Sequence, residues 1–495
     1  MKSSRLLLAL FLVLIPASRM IPALLNNAVF STDSWPLIRL TQQLIDNPST
    51  RILSLNTHHA KWPQAALFSL IYTEITGIPT YTFYASLGSP LIALILALML
   101  YVLLGKIVSG AQRVPALLAL QVYPSFALFT SAYLKEVYAY PLMLTLLLVV
   151  VATERVRWHG AFVTALALVL SHPLASLMTI ASTATYTFIK LTEKMKLGNP
   201  RSLQPYKKII GVTLLLSSLY LAHISIVGFP YVLTASDIIV LIAYSLFLYI
   251  TYFALYANVQ GFSALSIVVL LISISTYASL VEGITIGLNI LLYGSPLPLL
   301  VLSFYKPKVE EADVVASLLL PLAVGVLYTL TYATWLAGVT HRFLNYLAFP
   351  LALSLVAASR LKPRVALLLS LILITNSYVV LWRASTGSDP FLFYWRYTAM
   401  DLALRNYIEK YNAKRLVASV KYSYMLGEEI ASGGLALPGM LRTCSLAGQA
   451  LLVIGYGDLV YGVPFSTLHY FNPPADLFKC SSIVFNSMEN YLLVK

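Results

Sequence analysis

Charge is what this chain has least of. Only 11% of its 495 residues are Asp, Glu, Lys or Arg, against 59% hydrophobic, which leaves no mixed polar surface for a water-soluble globule. Cysteine is nearly missing too. Cys444 and Cys480 are the only two, without C-x-x-C metal spacing, although they could close one disulfide if that part of the chain lies outside the cytoplasm. A Gly-rich nucleotide loop, a helical H-E-x-x-H and a Ser-His-Asp arrangement are all absent. The formal charge of +14 does not indicate nucleic acid, because most Lys and Arg lie in short connections between apolar runs and form no aromatic-interleaved patch of the kind nucleic-acid grooves use. No internal repeat or low-complexity tract breaks the pattern.

What fills the chain instead is apolar runs of about 20 residues, the length a helix needs to cross the hydrocarbon layer. The expectation is an all-α polytopic membrane protein, in residues 1–383, with a small C-terminal α/β extracytoplasmic domain in residues 384–495. Lys and Arg cluster in the short connections, which the positive-inside rule places in the cytoplasm. Lys2 and Arg5 followed by Leu6–Ile15 and Pro16-Ala17-Ser18 have a signal peptide's layout; an uncleaved first helix to about Leu25, with its N-terminus cytoplasmic, is favoured because apolar character continues past Arg19. Spans are then expected at Tyr81–Gly105, Val114–Thr130 and Tyr138–Val151. The segment Gly160–Ile189 has two basic flanks, which both stay inside only if it is split at Ser171-His172-Pro173 into a short helix out and another back. Further spans are expected at Ile209–Gly228, Ile238–Tyr256, Ser263–Val281, Ile284–Phe304, Val314–Leu336, Phe343–Ser359 and Val365–Trp382. The total is about thirteen crossings of the cell membrane, with the C-terminal part outside.

Residues 26–78 are too polar to span and too patterned to be disordered. Pro36 with Leu37, Ile38, Leu40, Leu44 and Ile45 gives one amphipathic stripe, and Trp62-Pro63 with Ala66, Leu67, Leu70, Ile71 and Ile75 gives a second. Both suit helices lying flat at the membrane surface. In the tail, Asp401–Tyr411 reads as a helix, and Arg415–Val420, Leu451–Gly455 and Ile483–Phe485 read as strands.

With the topology laid out, few polar residues remain on the outer face: Asp33, His58, His59, Lys61, Lys135, Glu136, His172, His341 and Arg342. Asp33 and Glu136 could share base and orienting roles toward a hydroxyl, or hold a divalent ion such as Mg²⁺ or Mn²⁺ through hard oxygen ligands. Asp33 would equally suit an N-cap. Lys135 and Arg342 break the positive-inside trend, so each either pairs with an anion or snorkels to headgroups. His341-Arg342 could clamp a phosphate through the guanidinium. His58, His59 and Lys61 could bind phosphate or a metal, although adjacent histidines do not face one way on a helix. From Ile209 onward the spans hold scarcely any ionisable group besides His223 and the border residue Glu282, so no intramembrane proton relay is supported.

Thr32-Asp33-Ser34-Trp35 after the first helix, Tyr133-Leu134-Lys135-Glu136-Val137-Tyr138 in the second outer turn, the tip Leu170-Ser171-His172-Pro173 and the late His341-Arg342-Phe343 together resemble the GT-C superfamily of polytopic glycosyltransferases, which includes protein mannosyltransferases, aminoarabinose transferases and oligosaccharyltransferases. The resemblance covers residues 1 to about 190 by motif and the rest by topology. His172 stands where a lysine is commoner, and the tail has no W-W-D-Y-G, so it implies single-sugar transfer rather than an oligosaccharyltransferase. It implies a polyprenyl-phosphate sugar donor, a glycan, lipid or protein acceptor, Asp33 and Glu136 as catalytic acids, and Lys135, His172, His341 and Arg342 around the lipid phosphate. Trp35, His58, His59 and Lys61 would be donor or acceptor contacts. The rival expectation is a transporter or lipid flippase, which would show pseudo-repeats and interrupted helices at mid-membrane depth. A third is a membrane scaffold, with those polar groups scattered.

Overall fold

A computed structural model describes residues 2–55, 57–108, 112–152, 157–196, 204–228, 234–255, 292–296, 299–300, 309–333, 342–361, 363–389, 392–411, 416–427, 430–432, 451–466, 469–471 and 482–494. Long apolar helices dominate, because a backbone surrounded by hydrocarbon must satisfy its own hydrogen bonds. Among the described residues five helical stretches are long and apolar enough to cross a membrane, at Arg5–Asn26, Thr80–Ile107, Tyr206–Val227, Glu311–Thr329 and Leu367–Thr386. The chain is a multi-pass membrane protein. The expected spans Ser263–Val281 and Ile284–Phe304, along with His341, Cys444 and Cys480, lie wholly or largely outside the described residues.

In chain order the helices that frame the site are α1 Lys2–Arg19, α2 Ser34–Asp46, α3 His58–Lys61, α4 Gln64–Thr76, α5 Gly88–Ile107, α6 Lys135–Ala152, α7 Trp158–Ser171, α8 Pro173–Lys196, α9 Gln204–Val227, α10 Ala235–Leu255, α11 Val309–Thr331, α12 Ala348–Leu361 and α13 Pro363–Thr386. α5 packs between α1 and α6, while α8 packs on α6, α9 and α11.

The expected break at His172 is present. Its backbone is extended, at φ −158° and ψ 129°, and Pro173 starts the next helix. Ser176 Oγ donates to the Leu168 carbonyl at 3.2 Å. Eight residues of unbroken helix would part those groups by roughly 12 Å, so the chain reverses here.

The expected span Val114–Thr130 is corrected. Three short helices, Arg113–Ala116, Ala119–Val122 and Pro124–Phe129, take its place. Pro124 has no amide proton to continue a helix. Such irregular backbone survives at membrane depth only when wrapped in protein, and Ala116, Leu117, Ala119, Leu120 and Val122 are all buried. The flat helices also differ in detail. α2 buries Trp35, Leu37, Ile38, Leu40 and Leu44 as its stripe requires, whereas α4 buries Ala65, Ala66 and Ser69 and leaves Ile71 and Ile75 exposed.

The C-terminal part contains the helices α14 Ala399–Lys410, α15 Val420–Leu426 and α16 Tyr456–Tyr461. Its strands are β1 Leu416–Ala418, β2 Ala431–Ser432, β3 Leu451–Gly455, β4 Val463–Ser466, β5 His469–Phe471, β6 Ser482–Asn486 and β7 Asn490–Val494. Five form a mixed sheet in the order β2-β1-β3-β7-β6, with β1 parallel to β2 and β3 and β7 antiparallel to both its neighbours. The sheet side leans on the first loop: Ser31 N donates to Trp395 O at 2.8 Å, and Arg39 bonds the Tyr424 and Met425 carbonyls of α15.

Candidate active site

Asp33 is placed by its own loop. Ser31 sits in the left-handed region at φ 82°, and its Oγ accepts from the Asp33 amide at 3.3 Å. Asp33 occupies the N-cap position of α2 yet makes no side-chain capping bond. Its carboxylate turns instead to Arg342, where Nη2 meets Oδ2 at 3.1 Å. The two residues are 309 apart in the chain, and both stay partly accessible, at 29% and 32%.

Glu136, in the first turn of α6 and ahead of the apolar stretch that begins at Tyr138, is 1% exposed. Its Oε1 accepts from the Tyr140 hydroxyl at 3.2 Å, one helical turn on. Its Oε2 faces Arg342 Nη1 at 3.9 Å and His172 Nε2 at 3.8 Å, with no hydrogen bond among the described residues. Burial pushes this carboxyl up to about 7, opposed by the Arg342 charge. His172 Nδ1 accepts from the Ala175 amide at 3.3 Å, so a neutral ring carries its proton on Nε2, the nitrogen aimed at Glu136. The hairpin tip fixes the tautomer.

Lys135 is buried, with its ammonium 5.9 Å over the Trp62 ring and no hydrogen-bond partner among the described residues. Burial lowers it to about 7, with the Arg342 charge adding to that and Asp33 opposing it.

The sequence candidates therefore divide. Asp33, Glu136, His172 and Arg342 meet directly, and Lys135 lies within electrostatic reach of Asp33 and Arg342. His58 stands on α3 at the cavity mouth, with its ring 5.1 Å from Trp62. His59 is half-buried, and the Lys61 carbonyl is bonded by His223 Nε2 at 2.9 Å, tying α3 to α9. Trp35 is fully buried, edge-on to Tyr397 at 5.4 Å and under the Arg405 guanidinium at 5.2 Å, so it faces protein rather than open space. Among the described residues no cluster of three or more His, Cys, Asp or Glu could hold a metal ion.

From this charged corner a cavity of about 490 Å³ descends between α8, α10 and α11. His58, His172 and Arg342 form part of its wall; Leu174, Leu177, Met178 and Ala181 of α8, Leu241 of α10, and Pro321, Val324 and Gly325 of α11 make most of the rest. It reaches Thr185, whose Oγ1 bonds Tyr249 Oη. Thirteen residues of α8, from Pro173 to Thr185, measure roughly 20 Å. Gly325 is needed here because a Cβ in its place would lie 2.5 Å from Phe343 Cε1. Sequence reasoning missed Tyr140, although its i+4 spacing from Glu136 was readable. It also missed the cavity wall, which no polar signal marks.

No protein-family profile matches the chain, and no curated protein matches it. The fold is similar to two crystal structures of ArnT from Cupriavidus metallidurans, one bound to undecaprenyl phosphate and one in the apo state. The first is 12% identical and the second 11%, each with a TM-score of 0.42 over 98% of this chain and 97% of that one.

Proposed function

We propose that the protein is an integral membrane glycosyltransferase that moves a sugar from a polyprenyl-phosphate-linked donor to an acceptor hydroxyl on the outer face of the membrane, in a GT-C-like chain of about thirteen crossings. The observation that carries the reading is the join of two chemistries in one cavity: a charged mouth at Arg342 and His172, and an apolar trough of roughly 20 Å below it. A lipid phosphate has the same two halves. Its prenyl chain fills the trough between α8, α10 and α11, and its headgroup stays with the cations.

In the transfer the acceptor oxygen attacks the anomeric carbon while the bond from that carbon to the phosphate oxygen breaks. Asp33, the more accessible of the two acids, takes the hydroxyl proton. The departing phosphate keeps the bonding electrons, and Arg342, Lys135 and His172 stabilise the charge that develops there. Glu136 is enclosed and faces Arg342 and His172, which suits holding those two groups better than positioning an acceptor. The acids already face a guanidinium, and no step is assigned to a metal.

Reconstitution with polyprenyl-phosphate sugars tests this. Transfer is expected in the wild type, with Asp33→Asn reducing turnover by roughly 10²–10⁴-fold, the span ascribed to a general base. Glu136→Gln is expected to weaken donor binding as well as turnover. Movement of the intact donor across the bilayer without sugar transfer would identify a flippase and end the proposal.

A further inference from the structure

We infer that Asp33 and Arg342 form a latch which the donor's phosphate opens, so that the lipid-linked sugar binds before the acceptor can be activated; this rests on the glycosyltransferase reading above. The ion pair, hydrogen-bonded at 3.1 Å, joins the group assigned as base to a group that lines the donor cavity. In the resting site Arg342 Nη2 donates to Asp33 Oδ2, so a hydroxyl approaching that oxygen meets the guanidinium first.

Phosphate is the natural competitor for that guanidinium. As a diester it carries one negative charge, like the carboxylate, but its two unesterified oxygens can engage the planar fork together, where Asp33 meets it at Oδ2. Arg342 is partly exposed and so retains room to turn, whereas Glu136, 3.9 Å from its other nitrogen, keeps it inside the corner. When Arg342 turns to the phosphate, Asp33 loses its cation and is left beside the incoming hydroxyl. The proton then passes to Asp33 as the new bond forms at the anomeric carbon, and the electrons of the broken bond remain on the phosphate oxygen next to Arg342.

The test is a double-mutant cycle on the full-length protein in nanodiscs, with undecaprenyl phosphate as the probe and binding read by native mass spectrometry. Asp33→Asn should bind the probe roughly two- to fivefold more tightly than the wild type, the fold-change expected when a half-exposed ion pair no longer competes. Asp33→Glu keeps a carboxylate within reach and should bind like the wild type. In an Arg342→Ala background the Asp33→Asn gain should vanish, because the effect runs through the guanidinium. Equal binding by Asp33→Asn and wild type, or a gain that persists without Arg342, overturns the latch while Arg342-dependent binding leaves the glycosyltransferase reading standing. A wild type that binds no undecaprenyl phosphate overturns both.

Discussion

The two ends of α8 and α11 carry the same kinds of charge in opposite states. Away from the cavity, Arg360 Nη1 meets Glu311 Oε2 at 2.6 Å as half of a two-pronged pair, its Nε donates to Gln112, and Lys190 pairs closely with Asp313. At the cavity end, Glu136 Oε2 stands 3.9 Å from Arg342 Nη1 and 3.8 Å from His172 Nε2, and Lys135 Nζ has no hydrogen-bond partner among the described residues. Both ends pay for desolvating charge; the far end recovers it in close pairs, whereas at the cavity end Asp33 and Arg342 pair but Glu136 Oε2 and Lys135 Nζ make no hydrogen bond among the described residues. Closed pairs hold helices together; loose ones leave capacity for a ligand.

The largest expected effect that would break this contrast comes from removing one arginine at each end. Arg342→Ala should cut transfer by about 10²-fold or more, measured as sugar moved per folded protein. Arg360→Ala should leave that rate within about twofold, and equal losses would remove the distinction. Stability should show the reverse order. Arg360→Ala removes a two-pronged partner from the buried Glu311 and is expected to cost roughly 1–3 kcal/mol, below the full figure for buried pairs because the arginine is partly exposed, read as a lower unfolding temperature. Lys135→Met should be neutral or stabilising, since it deletes a buried charge that has no internal hydrogen bond.

The smallest effect is in pH. Lys135 sits near 7 instead of its usual high value, and Glu136 near 7 instead of its usual acidic one, so raising the pH through 7 removes a positive charge and adds a negative one. Affinity for a lipid phosphate should therefore fall above pH 7, by roughly an order of magnitude at most. The phosphate's own second ionisation near 6 works the other way and is complete by then. Lys135→Arg, permanently charged, should flatten the fall.

Much of the charged corner was legible in the sequence because polar groups are so sparse. In a chain this apolar, Asp33, Glu136 and Arg342 each stand out, and the charge bias of the connections assigns them to one side. His172 was found by a conflict, two basic flanks around a single apolar segment. The trough was not legible. Leu177, Val324 and Leu241 face a cavity, yet hydrocarbon and a cavity wall ask for the same side chains. Trp35 read as a donor or acceptor contact because nothing nearby announces that Tyr397 and Arg405, more than 350 positions later, cover it. The strand β7, as long as β3 and β6, was overlooked, and Pro124 ended a helix that hydropathy alone would have carried on.

Gly325 gives the fold a tuning point with no chemistry of its own. The ring it admits belongs to Phe343, the immediate neighbour of Arg342, so a single added methyl on α11 would shove the ring and swing the guanidinium with it. The place of a ring beside a side chain that touches both acids thus depends on a missing carbon on another helix. Drift at that position could retune the grip on an anion while every ionisable residue stayed the same.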